Sequence, residues 1–491
     1  MLKPLPDSKW NSTTAAHLLN RAGFGGPPSE VENLTALGVE TAVSRLVDYE
    51  EIPDSTPAPE WAKPDPTRIE RAQKFRNASA EQRREFQQME RRTQQEHLLE
   101  LRQWWLQRMA KGPRPLQEKL TLFWHGHFAT SFQKVRDAYL MWLQNETFRR
   151  HAHANWLEML TAVSKDPAML LWLDQAQSRR EHPNENFARE VMELFALGEG
   201  HYTEKDVTEA ARALTGWSYD RAAQVFVNRP RFHDPGEKTV LGRTGDLKGE
   251  EVLEQIVNQP QAARFIVSKL WSFFASENPP EGLVDALAKV FRESGNCFKP
   301  VLRALFRSEE FYSDAVVRNQ VKSPVQWLVG SVRMLELEIP PPFVTNNALR
   351  LLGQELFAPP NVKGWDGGLS WITTNNLLNR YNFAAFLVLG EMPLPMGPNR
   401  PNAGAMAMRG GFARRNRFAG RVEVSRILTE QERQDKDAII RALATRLFQG
   451  KLRERQEKTV REYLDSQGEI DDADIRHAIR LLMSTPEFQL T

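Results

Sequence analysis

Apolar residues recur every three or four positions along most of the chain, which predicts a protein built almost entirely from helices. Near the start, Asn11 or Ser12 is placed to cap a helix that carries Leu18 and Leu19, and a run of glycines and prolines follows it. The most apolar and aromatic stretch, residues 116–172, is predicted to form the centre of the fold. We therefore expect an all-α protein, arranged as a multi-helix orthogonal bundle.

Few segments have the pattern of β-strands. Residues 225–227 and 239–241 flank a segment that contains Pro, Asp and Gly, and we expect them to pair as one small hairpin within 224–241. Residues 51–67 are rich in proline and are predicted to form a surface connection. Residues 68–110 are rich in Arg, Gln and Glu, with apolar positions near the far end only, which predicts one long polar helix.

The chain changes in character after residue 390. We divide it into a main helical domain at 1–390, a flexible Arg/Gly-rich linker at 391–428 and C-terminal helices at 429–491 that pack on the main domain. Arginines stand among Gly, Pro and Asn in the linker, with no acidic residue between Glu391 and Glu423. An alternative is an arm that contacts nucleic acid on ordering. The modest number of charges favours the linker, so we do not expect nucleic acid as a partner.

Composition narrows the class of protein. The 491 residues are 41% hydrophobic, which is ample for a sizeable core, and 65 Lys and Arg against 63 Asp and Glu leave a net charge of only +2. The single Cys297 excludes an internal disulfide and a cysteine-rich zinc site. No apolar run is long enough to span a bilayer, and the start lacks the apolar region of a secretory signal. A cytoplasmic protein is therefore expected.

The segment 182–217 carries the densest group of ionisable side chains. Projected on an α-helix, Glu185, Arg189 and Glu193 form a row with a spacing of four, which is typical of an exposed ion-pair ladder. Glu190 instead lies on the flank of the apolar face, where its carboxylate would be partly desolvated. Its partner is then an arginine such as Arg189 or Arg212, or a metal ion, or its pKa is raised to suit acid–base chemistry.

The following helix has its own start and stop. Thr203 and Asp206 stand at the spacing of a capping box, and Gly216 is placed to end the helix. Small residues such as Ala210 and Ala211 permit close approach of a neighbouring helix. We therefore expect the carboxylates of the two helices to lie near one another.

Histidines provide a second group of candidates. His125 and His127 flank Gly126 at the predicted end of a helix, and in irregular backbone both imidazoles can face one cavity, whereas in a regular helix they cannot. His233 precedes Asp234, which gives a ligand with a polar orienting group. Such residues suit one divalent transition metal, Zn²⁺, Mn²⁺ or Fe²⁺. Without the tight spacing of an HExxH helix, the alternative is that each histidine is structural.

A glycine-rich stretch near the end of the apolar body is the last candidate. Residues 357–371 combine a Pro-Pro turn and several glycines with Lys363, Trp365 and Trp371. This composition is typical of a loop that lines a ligand cleft, and equally of a loop that closes over a core.

Five motifs in this order resemble the bacterial family catalogued as domain of unknown function 1800. They are HLLNRAGFG at 17–25, FWHGHF at 123–128, PNENFAREVMELFALGEGHYTEKDVTEAARALTGW at 183–217, FHDPGEKTVLG at 232–242 and PPNVKGWDGG at 359–368. The resemblance covers most of residues 10–390 and the final helix. It implies a mostly helical bacterial protein with no assigned reaction, often encoded beside a sulfatase-like protein.

The motifs contain the ionisable residues that we take as site candidates. Those expected to be catalytic are Glu190, Glu193 and Lys363. Those expected to bind a metal are His125, His127 and His233. Those expected to bind substrate or form a structural network are Glu185, Arg189, Glu204, Asp206, Arg212, Asp234 and Trp365.

Two functions are consistent with these residues. The first is a metal-assisted hydrolase or oxidoreductase with a buried polar cleft of His and Glu side chains. The alternative is a non-enzymatic binding or assembly protein, in which the same charged residues form a buried ionic network that fixes helix packing.

Overall fold

The computed structural model describes residues 2–390 and 421–491. Within them the chain forms 23 α-helices and only two small antiparallel sheets of two strands each, which confirms the predicted all-α class with a small β element. Most of the predicted Arg/Gly-rich linker lies outside the described residues.

The N-terminal helices begin where the sequence provides a cap. The Asn11 side chain accepts hydrogen bonds from the backbone N–H groups of Thr13 and Thr14, which confirms the predicted start of the first helix. The helices of this part are α1 Ser12–Ala22, α2 Pro28–Ala36, α3 Gly38–Val47, α4 Arg68–Asn77, α5 Ala80–Lys111, α6 Pro115–His127, α7 Phe132–Val135, α8 Ala138–Arg150, α9 Trp156–Ser164 and α10 Pro167–Trp172.

The predicted single long polar helix is two helices, α4 and α5. Ala78 is extended and Ser79 caps α5, because the Ser79 hydroxyl accepts from the N–H of Gln82 (3.2 Å) while the Gln82 side chain accepts from the N–H of Ser79 (2.9 Å). This capping box starts a new helix of 32 residues. Only its second half is buried, through Leu101 and Trp105 among others.

The middle and C-terminal parts are also helical. Their helices are α11 Glu185–Glu190, a π-helix Val191–Ala196, α12 Glu204–Ala213, α13 Gly249–Val257, α14 Pro260–Phe274, α15 Glu281–Glu293, α16 Phe298–Arg307, α17 Pro324–Met334, α18 Pro342–Leu352, α19 Thr374–Leu389, α20 Val424–Ile427, α21 Lys436–Phe448, α22 Glu454–Ser466 and α23 Asp472–Met483. Short 3₁₀ turns lie at Asp7–Lys9, Tyr49–Glu51, Gln175–Gln177, Pro230–Phe232, Glu309–Tyr312, Gly368–Trp371, Glu432–Gln434 and Pro486–Gln489.

The strands pair differently from the predicted hairpin. Strand β1 (Trp217–Asp220) pairs with β2 (Val225–Asn228), and β3 (Lys238–Val240) pairs with β4 (Arg243–Gly245). The predicted pairing of 225–227 with 239–241 is therefore wrong. Each strand finds its neighbour across a short turn instead: Leu241 and Gly242 both have positive φ (47° and 83°), as a two-residue hairpin loop of type I′ requires.

Two hydrophobic cores lie on opposite sides of α6. The first contains residues of α1 to α3, α9 and α11 to α16, together with Phe123 and Trp124 of α6. The second contains residues of α5, α8, α17 to α19 and the C-terminal helices, together with Leu122 of α6. The C-terminal helices share this second core through contacts of α19 with α23. Helix α6, which carries two of the candidate histidines, is thus at the centre of the molecule.

Candidate functional site

The end of α6 meets the glycine-rich loop of residues 359–371. Gly364 has a φ of 87°, and a Cβ atom at this position would clash with the carbonyl oxygen of Gly126. Only glycine allows this approach without displacing backbone. The contact brings the second and fifth motifs together, and Trp365 packs against the ring of His125 with a centroid separation of 5.6 Å.

His125 is a buried structural residue of this junction. Its Nε2 accepts a hydrogen bond from the backbone N–H of Phe357 (3.0 Å), so the ring proton is on Nδ1. Aromatic rings surround it, among them Trp105 at 5.2 Å. Burial, with a further contribution from Arg102, lowers the pKa of His125 to about 3. The imidazole is therefore neutral near pH 7.

His127 has a different partner. Its Nε2 donates to the carbonyl oxygen of Phe195 (2.9 Å), and burial together with the charge of Lys269 lowers its pKa to about 3. Since α6 continues through His127, the backbone is regular at both histidines. This corrects the expectation of irregular backbone, and with it the expectation that the two imidazoles face one cavity.

His233 contacts the segment that follows α12. Its Nδ1 is 3.1 Å from the carbonyl oxygen of Thr215, and its buried Nε2 has no hydrogen-bond partner among the described residues. Across residues 2–390 and 421–491, no group of three or more His, Cys, Asp or Glu side chains is arranged to hold a metal ion. The described residues therefore do not assemble the predicted metal site.

The predicted ion-pair ladder does not form on α11. Arg189 instead makes a bidentate pair with Glu204 at the start of α12, with both N–O distances at 2.7 Å. Glu193 accepts from the Tyr202 hydroxyl (2.6 Å), and Glu185 accepts from a threonine hydroxyl of α12 (3.1 Å). The physical reason is that α12 and the turn before it pack beside α11, so each side chain has a partner on a neighbouring element.

Glu190 is the carboxylate without a partner. It is half-buried, and neither Arg189 nor Arg212 forms an ion pair with it in the described part of the chain. Burial raises its pKa, the negative charge of Glu193 raises it further, and Arg189 partly opposes both. Of the three residues predicted to be catalytic, Glu190 alone has this character.

A polar network joins α12 to the segment that follows β2. Arg212 donates to Asp234 (2.7 Å) and to Glu209 (2.9 Å), and the Glu209 carboxylate accepts from the N–H of Thr239 (3.1 Å). The side chain of Asp206 closes the predicted capping box and also accepts from a backbone N–H at the end of β3 (2.7 Å). The hydrogen bond from Arg212 lowers the pKa of Asp234. These ion pairs and hydrogen bonds hold α12 against β3 and the segment that precedes it.

Lys363 lies on the surface of the glycine-rich loop. It is 3.3 Å from Asp366, and both side chains are mostly exposed. Lys269 is nearby, and partial desolvation followed by the charge of Lys363 lowers the pKa of Lys269. Among the described residues, no hydrogen bond joins Lys363 to Glu190 or Glu193.

The most deeply buried ionic network involves residues that the sequence analysis did not single out. Glu118 of α6 is fully buried and accepts from Arg108 (2.8 Å), Arg149 (2.8 Å and 3.0 Å) and the indole N–H of Trp105 (2.9 Å). Burial alone would raise the pKa of Glu118, but the two arginines hold it below its usual value. The sequence indicated this network only through Glu118, a charged residue within the apolar run LQEKLTLFW.

An exposed apolar surface borders the glycine-rich loop. It lies on α18, the 3₁₀ turn Gly368–Trp371 and α19, where the Asn379 side chain donates to the carbonyl oxygen of Leu351 (3.2 Å). We call this surface the apolar face. Its side chains, six of the ten large apolar ones that are exposed in the described residues, are Phe343, Leu351, Leu369, Leu377, Leu378 and Tyr381.

Two arginines flank the apolar face. Arg480 lies over the ring of Tyr381 at 4.6 Å and donates to its hydroxyl (2.7 Å), while Arg350 donates to the side chain of Asn347 (2.9 Å). Neither arginine has a carboxylate partner among the described residues. The surface therefore combines apolar area with positive charge at its edge.

Comparison with known proteins identifies the family. The family model described as "Protein of unknown function (DUF1800)" matches residues 17–490. No curated protein and no solved structure matches the chain. None of the helices in the described ranges has the length and apolar character needed to cross a membrane.

Proposed function

The chain belongs to the DUF1800 family, and on that premise we propose that it is a binding and assembly protein that holds a sulfatase-like protein against its apolar face. The observation that carries the proposal is the exposure of large apolar side chains on one surface, with Phe343 at 78% and Leu369 at 79%. Large exposed apolar side chains on elements that pack together, here α18 and α19, favour a protein–protein contact site.

Apart from Glu190, the motif residues have contacts that support binding rather than catalysis. Arg189, Arg212 and Asp234 are engaged in ion pairs with other parts of the chain, and His125 and His127 are engaged with backbone groups. A catalytic group needs a free reactive atom that can reach substrate. Side chains that are already saturated by intramolecular partners fix the packing of helices instead.

The nature of the partner follows from two properties. The resemblance to the family implies a sulfatase-like protein encoded nearby. The unpaired charges of Arg350 and Arg480 beside the apolar face favour a partner surface with carboxylates around an apolar centre. Two further statements remain predictions from the sequence: that nucleic acid is not a partner, and that the protein is cytoplasmic.

The experiment measures the affinity of the purified chain for a sulfatase-like protein from the same genome. Leu377→Asp places a charge in the apolar face and is expected to weaken binding at least about tenfold, the loss of one hot-spot residue. Met89→Asp is the matched control, because Met89 is 61% exposed on α5, away from this surface. We expect it to leave the affinity unchanged. No binding by the wild-type chain, or equal loss in both variants, would overturn the proposal.

Sedimentation velocity of the chain alone tests whether a second copy of the chain, rather than a sulfatase-like protein, binds the apolar face. If the wild-type chain is a dimer that Leu377→Asp converts to a monomer, the apolar face binds a second copy and the sulfatase-like partner is excluded from it. The proposal expects identical sedimentation of wild type and variant.

One observation favours the alternative of a metal-assisted reaction. The Nε2 atom of His233 is buried and without a partner, next to the Arg212–Asp234 pair. If it binds a metal, protein purified after metal-supplemented expression retains metal that His233→Gln loses. Less than about 0.1 equivalent of any transition metal in the wild type would remove this candidate.

A further inference from the structure

Arg480 of α23 is fixed against the apolar face by two contacts with one residue of α19. Its guanidinium lies over the ring of Tyr381, 4.6 Å from the centroid, and donates a hydrogen bond to the Tyr381 hydroxyl (2.7 Å). Tyr381 belongs to the apolar face and is 40% exposed. The arginine is therefore held in place at the surface where a partner binds, so less of its side-chain freedom remains to be lost on binding.

Arg350, the second arginine beside the apolar face, is held differently. It is exposed, and among the described residues its side chain bonds only to Asn347 (2.9 Å), one turn earlier on the same helix. Arg480 is half-buried, and its Nε atom is buried. An exposed charge keeps its water, whereas a half-buried one has already lost part of it. The two arginines should therefore contribute to binding in different ways.

The orientation of Arg480 leaves its Nη atoms for a partner. Its Nε atom is buried and cannot reach another molecule, and one N–H of Nη2 is used by the Tyr381 hydroxyl. A guanidinium is a planar fork of N–H donors that cannot accept a hydrogen bond. The Nη1 atom and the second N–H of Nη2 remain, and this end of the fork matches the two oxygens of a carboxylate.

No carboxylate on the helices of the apolar face competes for Arg480, because α18 and α19 contain neither Asp nor Glu. The carboxylates that flank Arg480 along the chain are engaged elsewhere. Asp474 accepts from the backbone N–H of Asp471 (3.0 Å), and Glu487 is 3.3 Å from Arg453. The surface around Tyr381 is thus apolar and positive, and its complement is a partner surface that is apolar and negative.

Tyr381 also joins Arg480 to the apolar side chains of α19. Leu377 and Leu378 come four and three residues before Tyr381, so the three side chains share one side of the helix. Leu377 is 42% exposed and Leu378 is 47% exposed. Residues that dominate binding energy are enriched in Tyr and Arg and lie where the contact excludes water. Tyr381 and Arg480, beside two exposed leucines, have this composition.

We propose that Arg480 determines the specificity of the apolar face: it binds a carboxylate of the sulfatase-like protein, and Tyr381 is the positioning residue that holds its guanidinium. The partner surface then presents an Asp or Glu side chain next to apolar side chains that cover Leu377 and Leu378. Arg350 stays in the solvated rim and acts through long-range attraction only. This role of Arg480 rests on the proposed function, because the apolar face has to bind the sulfatase-like protein.

Binding kinetics of the full chain separate the two arginines. Loss of one partner of a desolvated ion pair accelerates dissociation, whereas loss of a rim charge slows association. We expect Arg480→Gln to dissociate from the sulfatase-like protein at least about 30-fold faster than the wild type, with a similar association rate. Arg350→Gln is the matched control, and its dissociation rate should equal that of the wild type. Surface plasmon resonance measures both rates.

Tyr381→Phe tests the positioning role. The phenyl ring keeps the stacking on the guanidinium and removes the hydrogen bond, so we expect dissociation to accelerate by about three- to tenfold. In the Arg480→Gln background the same substitution should have no further effect, because no guanidinium remains to be positioned. Equal effects of Tyr381→Phe with and without Arg480 would show that the hydroxyl acts independently of the arginine.

Failure of the proposed function and failure of this role give different results. No binding by the wild-type chain overturns both. Binding that Leu377→Asp weakens but Arg480→Gln leaves unchanged supports the proposed function and overturns the role of Arg480. Equal dissociation rates of Arg480→Gln and Arg350→Gln would overturn that role as well, because the two charges would then be equivalent.

Discussion

His127 donates a hydrogen bond of 2.9 Å from its Nε2 to the carbonyl oxygen of Phe195. Phe195 lies in the last turn of the π-helix, where backbone carbonyls have no partner further along the helix. The imidazole of α6 therefore satisfies a buried carbonyl of the next motif. This contact explains why a histidine that resembles a metal ligand in sequence belongs to the packing of the fold.

Replacement of His127 tests this assignment. His127→Ala leaves the Phe195 carbonyl without a donor and is expected to lower the free energy of unfolding by about 1–3 kcal/mol, the cost of an unsatisfied buried acceptor. His127→Gln keeps a donor at a similar position and should retain most of the stability. Urea denaturation measures both variants. Equal stability of wild type and His127→Ala would contradict the structural role.

The two histidines of α6 predict a pH dependence of stability. Burial lowers the pKa of both to about 3, whereas an unfolded histidine has a pKa of about 6.5. Below pH 6.5 the unfolded chain takes up protons that the folded chain does not. The stability contributed by each neutral histidine is therefore complete above pH 6.5 and is lost as the pH falls towards 3, at about 1.4 kcal/mol per pH unit.

His125→Gln isolates this contribution, because a glutamine oxygen can still accept from the Phe357 N–H. We expect the loss of stability between pH 7 and pH 5 to be about 2 kcal/mol smaller in the variant than in the wild type. The measurement is urea denaturation at the two pH values. Parallel pH curves for the two proteins would show that His125 titrates normally in the folded state.

The buried network around Glu118 predicts the largest effect of a single polar substitution. Glu118→Gln removes the buried carboxylate that Arg108 and Arg149 share and leaves each arginine one other carboxylate, Asp54 for Arg108 and Glu146 for Arg149. The free energy of unfolding should therefore fall by about 3 kcal/mol, the lower end of the cost of breaking a buried ion pair. Glu146→Gln is a suitable control, because Glu146 pairs with Arg149 but is 31% exposed. A loss in Glu118→Gln no larger than that in the control would mean that the network contributes little.

The two arginine pairs of the third motif should differ in strength. Arg212 bonds to two carboxylates and a backbone carbonyl, with its side chain 24% exposed, whereas the partner of Arg189 is 77% exposed. We expect Arg212→Ala to destabilise the chain by about 1–3 kcal/mol and Arg189→Ala to have no measurable effect. Thermal denaturation of both variants checks the order, and a reversed order would contradict it.

Local features of the fold could be predicted from the sequence. The caps at Asn11 and Thr203 depend on residues within three positions, and both are present in the structure. The helical class follows from periodicity over long segments. The division of residues 68–110 into α4 and α5 has an equally local cause, the capping box of Ser79 and Gln82. We did not predict this boundary because the composition is polar on both sides of it.

The partners of the candidate residues could not be predicted in this way. Arg189 pairs with Glu204 rather than with its helical neighbours because α12 packs against α11, and the composition of the two helices does not predict that packing. Likewise, His125 and His127 differ by two residues in sequence but bond to backbone groups of distant segments. Such pairings depend on tertiary packing, which periodicity does not encode.

Hydrogen–deuterium exchange in a complex with the sulfatase-like protein is the most direct test of binding at the apolar face. We expect slower exchange in peptides covering 343–352 and 368–381 when the partner is present, and unchanged exchange in the exposed half of α5 at 80–97. Unchanged exchange at 343–352 and 368–381, with protection elsewhere on a stable complex, would contradict it.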